Sequence, residues 1–347
     1  MAVSGPAGGA NAGDDLLASY GDLARRAAIA ALPTRAPRKP LYDVLAGYLA
    51  RGGKGLRPSL CIATCRALGG PVEAALPLAV SIELLHSSLL VHDDIEDEST
   101  MRRGRPTLHV EYGVPLALNA GDALAILAAQ QVAEAARTFG RDGAEALRAF
   151  HRAAQNAVEG QAMELGWRRS GLEDVDESDY MELVLKKTAH YTTILPLRFG
   201  ALAARGHLPE PGSLDTFGFY LGALFQVRDD LLNLWPGPNG IGKERGEDIT
   251  EGKPTLLTIH LRRHIPPHLH DRFLQVLGCG PAGRSDADIE WVIRLMERFG
   301  SRRHALMCAA GLSGAALASF QDAFAGVPPS DDLDFVGGLV ERLGTEQ

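Results

Sequence analysis

The sequence predicts an all-α fold, a single-domain bundle of ten or more helices around a central cavity. Hydrophobic residues make up 46% of the 347 residues, and Leu, Ala, Val and Phe recur at helical spacing through most of the chain. Strand signals are nearly absent, and no repeat, heptad array or linker divides the sequence. We therefore expect one domain at residues 14–347, preceded by a disordered tail at residues 1–13.

Charge and composition exclude several classes of protein. Thirty-five basic and 43 acidic residues give a net charge of −8, which argues against general nucleic-acid binding. No apolar run reaches the roughly eighteen residues of a membrane span without an intruding His, Asp or Glu. Residues 1–10 lack the basic start and apolar core of a signal peptide, so we expect a cytoplasmic protein. Cys61 and Cys65 have no second ligand pair nearby, which favours buried apolar residues over a zinc site.

The predicted helices follow one another along the chain, separated by proline, glycine and polar residues. Pro33, Pro37 and Pro40 end the first helix, because proline cannot continue one. A cap-like Ser285 opens a later helix. The polar, glycine-rich segment 236–253 is long for a loop between helices, so we expect it to cover a functional site. The predicted helical ranges are 14–32, 41–49, 58–68, 71–94, 114–139, 143–167, 180–205, 214–235, 254–264, a segment from 285, 303–324 and 332–343.

A cluster of carboxylates closes the long apolar helix at residues 71–94. Asp93 and Asp97 are four residues apart, so on a helix they project from one face, beside Asp94. Like charges held this close repel one another unless a cation lies between them. Ligands that are all oxygen indicate Mg²⁺ or Mn²⁺ rather than zinc.

A second cluster, Asp229 and Asp230, ends another apolar helix. One such cluster alone is often only a solvated helix end, but two of them argue against that interpretation. Mg²⁺ takes one or two protein carboxylates and fills its other positions with water and substrate phosphate. Two facing clusters would therefore suit a diphosphate that several metal ions bridge.

A basic, glycine-rich turn, residues 52–58, precedes a predicted helix. Backbone amides freed by glycine, a helix N-terminus, Lys54 and Arg57 together indicate an anion site, although such turns are also common on plain surfaces. His86 lies two helical turns before Asp93. It is therefore either a core residue or a donor to phosphate.

Three motifs in this order resemble the trans-isoprenyl diphosphate synthase (polyprenyl synthetase) family. They are Asp-Asp-x-x-Asp at 93–97, Arg-Arg-Gly-x-Pro-Thr at 102–107, and the aspartates that follow Phe225-Gln226. The resemblance extends from about Gly52 to about Thr258 and implies the isoprenoid synthase fold and a homodimer. It also implies a reaction in which metal-bound diphosphate leaves an allylic substrate and the double bond of isopentenyl diphosphate attacks the carbocation. A proton is then lost, and the released diphosphate can accept it.

The resemblance assigns roles to individual residues. It implies three Mg²⁺ ions per active site, with Asp93, Asp97 and Asp229 as the direct ligands. Asp230 is expected to support the direct ligand Asp229, and Asp248 is expected to order the water shell of the metal. The complete metal-binding set is Asp93, Asp94, Asp97, Asp229, Asp230 and Asp248. The residues expected to bind the allylic diphosphate are Arg102, Lys187, Lys243 and Lys253. Thr188 and Gln226 are expected to lie close to the reacting carbons. The expected isopentenyl diphosphate site is Lys54, Arg57, His86 and Arg103.

Two positions depart from the family pattern. Gly55 stands where most members have a further Arg, and Asn233 stands where many have Asp. Asn keeps an oxygen donor but removes one negative charge. We expect this loss of charge to weaken metal binding only modestly if residue 233 is not a direct metal ligand.

The length of the product should depend on residues further back along the first aspartate helix. Ser88 lies five residues before Asp93, about 7.5 Å along the axis. In the family a bulky aromatic residue at this position stops growth of the product early, so the small Ser88 implies a product longer than fifteen carbons. Leu89 and Leu85 would then form a deeper floor of the pocket that holds the growing chain. The segment 242–253 looks most like geranylgeranyl diphosphate synthases, which implies twenty carbons and leaves twenty-five or more open.

Two other functions share part of this pattern. A class I terpene cyclase would have the same fold and a first aspartate motif. It binds no second diphosphate, however, and so has little reason to keep Lys54 and Arg57. A non-catalytic synthase subunit would generally lose one aspartate cluster, whereas both clusters are present here.

Overall fold

The computed structural model describes residues 9–170, 174–237, 245–278 and 283–345. These residues are almost entirely helical, which confirms the all-α class. Their one sheet is a short antiparallel hairpin, β1 (Met101–Arg102) and β2 (Arg105–Pro106). The α-helices are α1 (Gly9–Ala30), α2 (Asp43–Leu49), α3 (Leu56–Ala67), α4 (Val72–Glu96), α5 (Leu108–Tyr112), α6 (Val114–Ala136), α7 (Arg141–Ser170), α8 (Glu177–Val184), α9 (Leu195–Arg205), α10 (Ser213–Leu234), α11 (Glu247–Glu251), α12 (Leu256–His264), α13 (Pro267–Gly278), α14 (Asp286–Arg298), α15 (Ser301–Ala323) and α16 (Asp331–Thr345).

Some helix predictions need correction. The predicted helix 180–205 is α8 and α9 joined by a π-helical segment, Leu185–Ile194, whose wider turns leave no distinct mark in an apolar pattern. Helix α1 begins at Gly9, so residues 9–13 of the expected disordered tail are helical although they include two glycines, which have low helix propensity. The expected loop 236–253 contains α11, which is too short to show a periodicity. α5 and α13 were not predicted.

The chain forms two compact units. The first contains the described residues up to Ala154, together with Tyr191–Asp215 and Phe320–Leu339; the remaining described residues form the second. Every boundary between the units falls inside a helix or the π-helical segment.

Helix α4 is the buried centre of the first unit and packs closely on α6. A side chain at Gly121 of α6 would collide with the imidazole ring of His92 on α4. One turn earlier on α4, the hydroxyl of the buried Ser88 donates to the Gly121 carbonyl oxygen at 2.8 Å. The absence of a side chain at Gly121 thus allows α6 to fix the end of α4. His92 is a packing residue of this contact.

In the part of the chain that the structure describes, two helices are long and apolar enough by length and composition to cross a membrane, although charged residues or histidines interrupt the apolar run in both. They are α4, whose most apolar window is 72% buried, and the segment Val114–Phe139, whose window is 39% buried. The core position of α4 explains its apolar composition. α6 instead exposes Val114, Leu118 and Ile126.

Three histidine rings stack in the second unit. The ring centroids of His260 and His264 on α12 are 3.8 Å apart, and those of His260 and His304 on α15 are 4.4 Å apart. His260 Nδ1 also lies 3.0 Å from the Ser301 hydroxyl. Burial, with the neighbouring His264 and His304, lowers the pKa of His260 from 6.5 to about 4.

We expect this stack to make stability depend on pH. The unfolded chain binds the His260 proton more readily than the folded chain between pH 6.5 and about 4, so this contribution is complete above pH 6.5 and is lost as the pH falls. From pH 7 to pH 5 the unfolding free energy of wild type should fall by about 1–2 kcal/mol more than that of His260→Phe. Denaturant unfolding at both pH values measures this, with the exposed His207→Gln as control. Parallel pH dependence of wild type and His260→Phe would contradict the expectation.

Candidate active site

The first aspartate cluster is built on the last turn of α4. The Asp97 amide donates to the Asp93 carbonyl oxygen at 2.9 Å, so these residues lie one turn apart, as the spacing predicts. The side chain of Asp93 is 22% exposed, whereas Asp94 and Asp97 are buried. Asp93 is therefore the most accessible carboxylate of the three.

The β1–β2 hairpin returns Arg102 to this cluster. Arg102 Nε donates to Asp94 Oδ1 at 2.6 Å, and its Nη2 lies 3.6 Å from Asp93 Oδ2. Burial raises the pKa of Asp94 to about 6, although the charge of Arg102 opposes that shift. Asp94 thus anchors the guanidinium of Arg102, the residue that the family resemblance assigns to the allylic diphosphate.

The residues of the first cluster fit a hard divalent cation. Among the described residues, no three His, Cys, Asp or Glu side chains are close enough together to enclose a metal ion by themselves. Mg²⁺ does not need such a cage, because it keeps water and substrate oxygens as ligands. Asp94 Oδ2 is buried and accepts no hydrogen bond from the described part of the chain, so the site retains an open oxygen acceptor.

The predicted anion site is assembled around Arg57 at the start of α3. Its guanidinium donates to the Thr192 hydroxyl at 3.1 Å and to the Tyr191 hydroxyl at 3.0 Å, and Nη1 lies 3.2 Å from His86 Nε2. The guanidinium also lies over the Tyr191 ring, 4.7 Å from its centroid. These contacts hold Arg57 in one orientation before any ligand arrives.

The contact with Arg57 also fixes the tautomer of His86. Arginine can only donate, so Nε2 must accept and the ring hydrogen is on Nδ1. Burial, followed by the charges of Arg57 and Arg103, lowers the pKa of His86 well below its usual value, so the ring is neutral at pH 7. Within the described residues Nδ1 has no hydrogen-bond partner. A buried neutral donor beside an arginine favours the phosphate role over the core role.

The glycine-rich turn explains one departure from the family pattern. Gly55 has a φ of +62°, and a Cβ there would lie 2.5 Å from the Gly21 Cα of α1. The close approach of α1 therefore excludes a larger residue at position 55. The guanidinium of Arg103 lies against Gly53, 2.6 Å from where a Cβ would stand, and Lys54 is exposed.

Two residues of this region were not predicted. Arg25 of α1 donates to the Gly53 carbonyl oxygen at 3.1 Å and to Asp22 at 2.7 Å. Glu83 of α4 is buried; burial raises its pKa, while the charges of Arg103 and Arg57 act against that shift. Neither residue belongs to a motif, and only the fold brings them to the turn.

The second cluster lies in the second unit, on α10. Asp230 is buried and both of its oxygens accept hydrogen bonds, from the Tyr180 hydroxyl at 2.7 Å and from Gln226 Nε2 at 2.8 Å. Gln226 in turn accepts from the Thr188 hydroxyl at 2.7 Å. Burial raises the pKa of Asp230. Asp229 is exposed, which suits a direct metal ligand, whereas Asp230 is held by hydrogen bonds from its neighbours. Tyr180 is a site residue that the sequence did not reveal.

Lys187 lies in the π-helical segment, close to α7. Its Nζ lies 2.8 Å from an oxygen of the buried Glu164. A Cβ at Gly160 of α7 would lie 2.5 Å from the Lys187 amide nitrogen, so glycine is required for this approach. The π-helical turns and Gly160 together place the ammonium group beside Glu164.

Asp248 lies in helix α11, and Lys253 follows that helix. The Asp248 amide donates to Asn233 Oδ1 at 3.1 Å, and the Lys253 amide donates to the Asp248 carbonyl oxygen at 2.8 Å. Lys253 Nζ also lies 2.5 Å from Glu251. The expected grip Lys243 lies outside the described residues.

The residues expected to limit product length lie in the first unit. Ser88 and Leu85 are 2% and 4% exposed, and Leu89 is partly buried. The Ser88 hydroxyl lies at the contact of α4 with α6, so a larger side chain there would have to displace α6 or occupy space beside it.

Comparison with known proteins identifies the family of this chain. The sequence pattern of the polyprenyl synthetase family matches residues 38–296. A short chain isoprenyl diphosphate synthase of Methanothermobacter thermautotrophicus is 32% identical over 84% of this chain and 86% of its own length. A geranylfarnesyl diphosphate synthase of Natronomonas pharaonis is 31% identical over 83% of this chain and 85% of its own length. The crystal structure of geranylgeranyl pyrophosphate synthetase from Pyrococcus horikoshii has a TM-score of 0.82 at 29% identity, covering 96% of this chain and 99% of that one. The chain belongs to the polyprenyl synthetase family of trans-isoprenyl diphosphate synthases and is therefore a prenyltransferase.

Proposed function

We propose that this enzyme condenses isopentenyl diphosphate head-to-tail with allylic diphosphates to make geranylgeranyl diphosphate, with twenty carbons. The observation that carries the proposal is the pair of adjacent arginines after α4. Arg102 is bound to Asp94 of the aspartate cluster, and Arg103 lies against Gly53 of the cationic turn. One short hairpin thus joins a carboxylate site to an anion site, as a reaction between two diphosphates requires.

Each set of residues has a distinct task in this reaction. Arg57, Arg103 and the Nδ1–H of His86 bind the diphosphate of the isopentenyl substrate and orient its double bond. Asp93, Asp97 and Asp229 would hold Mg²⁺. The bound cations would neutralise the diphosphate that leaves the allylic substrate.

Arg102, Lys187 and Lys253 would bind the diphosphate of the allylic substrate in this proposal. Arg102 and Lys187 are each held in place by a carboxylate, which orients a positive charge before the substrate binds. Lys253 is tied through its amide to Asp248. No described residue is assigned as the base, because the departing diphosphate can accept the proton.

Product length is the finer part of the proposal. Similar chains include short-chain, geranylgeranyl and geranylfarnesyl diphosphate synthases, so twenty and twenty-five carbons are both within the range of the family. The small Ser88 supports growth beyond fifteen carbons, and the buried Leu85 supports a floor soon after that. A longer product remains the alternative.

We expect Ser88→Phe to shorten the main product to about fifteen carbons, because the ring would occupy space beside α6 that the growing chain uses. Overpacking should also cost roughly 1–3 kcal/mol of stability. Chromatography of the dephosphorylated products measures the effect. Ser88→Ala, which removes only the hydrogen bond to Gly121, should leave the length unchanged. Products of parental length from a folded Ser88→Phe variant would show that this position does not set the floor.

We also propose that the enzyme is a homodimer that buries the exposed apolar face of α6. Val114, Leu118 and Ile126 are each more than 40% exposed on that helix, and a second copy of the chain would remove them from water. Light scattering of wild type and of Ile126→Glu tests the proposal. A monomeric wild type would contradict it.

A turnover assay tests the proposed chemistry. Purified enzyme with Mg²⁺, farnesyl diphosphate and labelled isopentenyl diphosphate should release one diphosphate for each new carbon–carbon bond, and chelation by EDTA should stop the reaction. Release of hydrocarbon without isopentenyl diphosphate would instead identify a cyclase. No turnover at all would support the non-catalytic subunit.

A further inference from the structure

We propose that Asn233 is a positioning residue that clamps the start of α11 and thereby sets Asp248 and Lys253 in place. The inference deepens the proposed function, on which it rests, because it assigns a task to a position where the sequence departs from the family pattern. Asn233 acts through its contacts with α11 rather than as a metal ligand.

The clamp consists of two hydrogen bonds from one residue of α10. Asn233 Oδ1 accepts the Asp248 amide at 3.1 Å, and the Asn233 carbonyl oxygen accepts the Gly246 amide at 3.1 Å. Asn233 and Asp248 are 6% and 8% exposed, so water competes little for these bonds. The first residues of α11 are thus tied to α10 through both the side chain and the backbone of residue 233.

The clamp also affects Lys253, through a backbone hydrogen bond to Asp248. Lys253, which follows α11, donates its amide to the Asp248 carbonyl oxygen at 2.8 Å. A helix of five residues, as α11 is, lacks intrinsic stability in water and needs external contacts to persist. Loss of the clamp should therefore loosen Asp248 and Lys253 together.

The side-chain amide of Asn233 provides the acceptor for the Asp248 amide. Within the described residues Asn233 Nδ2 has no hydrogen-bond partner, so the Asp248 amide is what orients the side-chain amide. An aspartate at this position could accept the same hydrogen bond. An alanine could not accept it.

Hydrogen exchange tests the clamp directly. In full-length Asn233→Ala the Asp248 amide should exchange roughly five- to tenfold faster than in wild type, as expected for one lost hydrogen bond. The Gly246 amide bonds to the backbone of residue 233 and should change less. Asn233→Asp should retain the wild-type exchange of Asp248, and the exposed Gln155→Ala serves as control. Equal exchange of the Asp248 amide in wild type and a folded Asn233→Ala would overturn the inference.

Kinetics separate positioning from a general loss of structure. We expect Asn233→Ala to raise KM for the allylic diphosphate about tenfold, to leave KM for isopentenyl diphosphate unchanged, and to be rescued by Asn233→Asp. An equal rise in both KM values, or no rescue, would contradict positioning. An inactive wild type would refute the proposed function instead, and the exchange measurement would still decide whether the clamp exists.

Discussion

Replacing Asp93 with asparagine is expected to lower kcat/KM for elongation by about a thousandfold, because it removes the most accessible carboxylate of the first cluster. Asparagine keeps the size of the side chain but carries no charge to hold a divalent cation. Fixed electrostatic groups at a departing anion commonly contribute 10²–10³ in rate, and a metal ion adds to this. Steady-state kinetics at increasing Mg²⁺ concentration measure the loss and show whether excess metal offsets it.

The control for this variant is Asp271→Asn, which makes the same change at an exposed position of α13. It should retain wild-type rates, and far-UV circular dichroism should show both variants folded. A folded Asp93→Asn enzyme with more than a tenth of wild-type activity would contradict the role of Asp93 as a direct metal ligand.

Arg57→Leu is expected to raise KM for isopentenyl diphosphate about a hundredfold and to affect KM for the allylic substrate much less. The change removes a guanidinium that three side chains hold in place, and it also removes the contact that fixes the His86 tautomer. Charge-assisted hydrogen bonds to phosphate are worth more than neutral ones, so the loss should be large. Initial rates with each substrate varied in turn give the two KM values.

Two further variants sharpen this test. Arg57→Lys keeps the charge but not the planar fork, so its KM should fall between those of wild type and Arg57→Leu. Arg26→Leu removes an exposed arginine of α1 and should have no effect. A similar rise in both substrates' KM values for Arg57→Leu would mean that Arg57 does not define a separate site.

Local spacing was sufficient to predict most of the long helices and the residues that share one helical turn, but not the short helices α5 and α11. Asp93 and Asp97 follow from a four-residue interval, and the apolar periodicity of α4 and α10 follows from the sequence alone. The pairing of Arg57 with His86 could only be expected from the family resemblance. The structure brings these two residues together from different helices.

Other parts of the site depend on contacts between segments that are distant in sequence. Tyr180 reaches Asp230 across 50 residues, and Arg25 reaches Gly53 across 28, so neither has a local signal. The hydrogen bond between Arg102 and Asp94 depends on the hairpin formed by β1 and β2, whose strands have two residues each. The reason for glycine at position 55 lies in the approach of Gly21 from another helix.

The most direct measurement is the size of the product from different primers. Purified enzyme with Mg²⁺ and isopentenyl diphosphate is incubated separately with dimethylallyl, geranyl or farnesyl diphosphate, and the dephosphorylated alcohols are sized by chromatography. We predict a twenty-carbon alcohol from all three primers. Longer alcohols would keep the mechanism but place the floor beyond Leu85, whereas no elongation from any primer would contradict the proposed function.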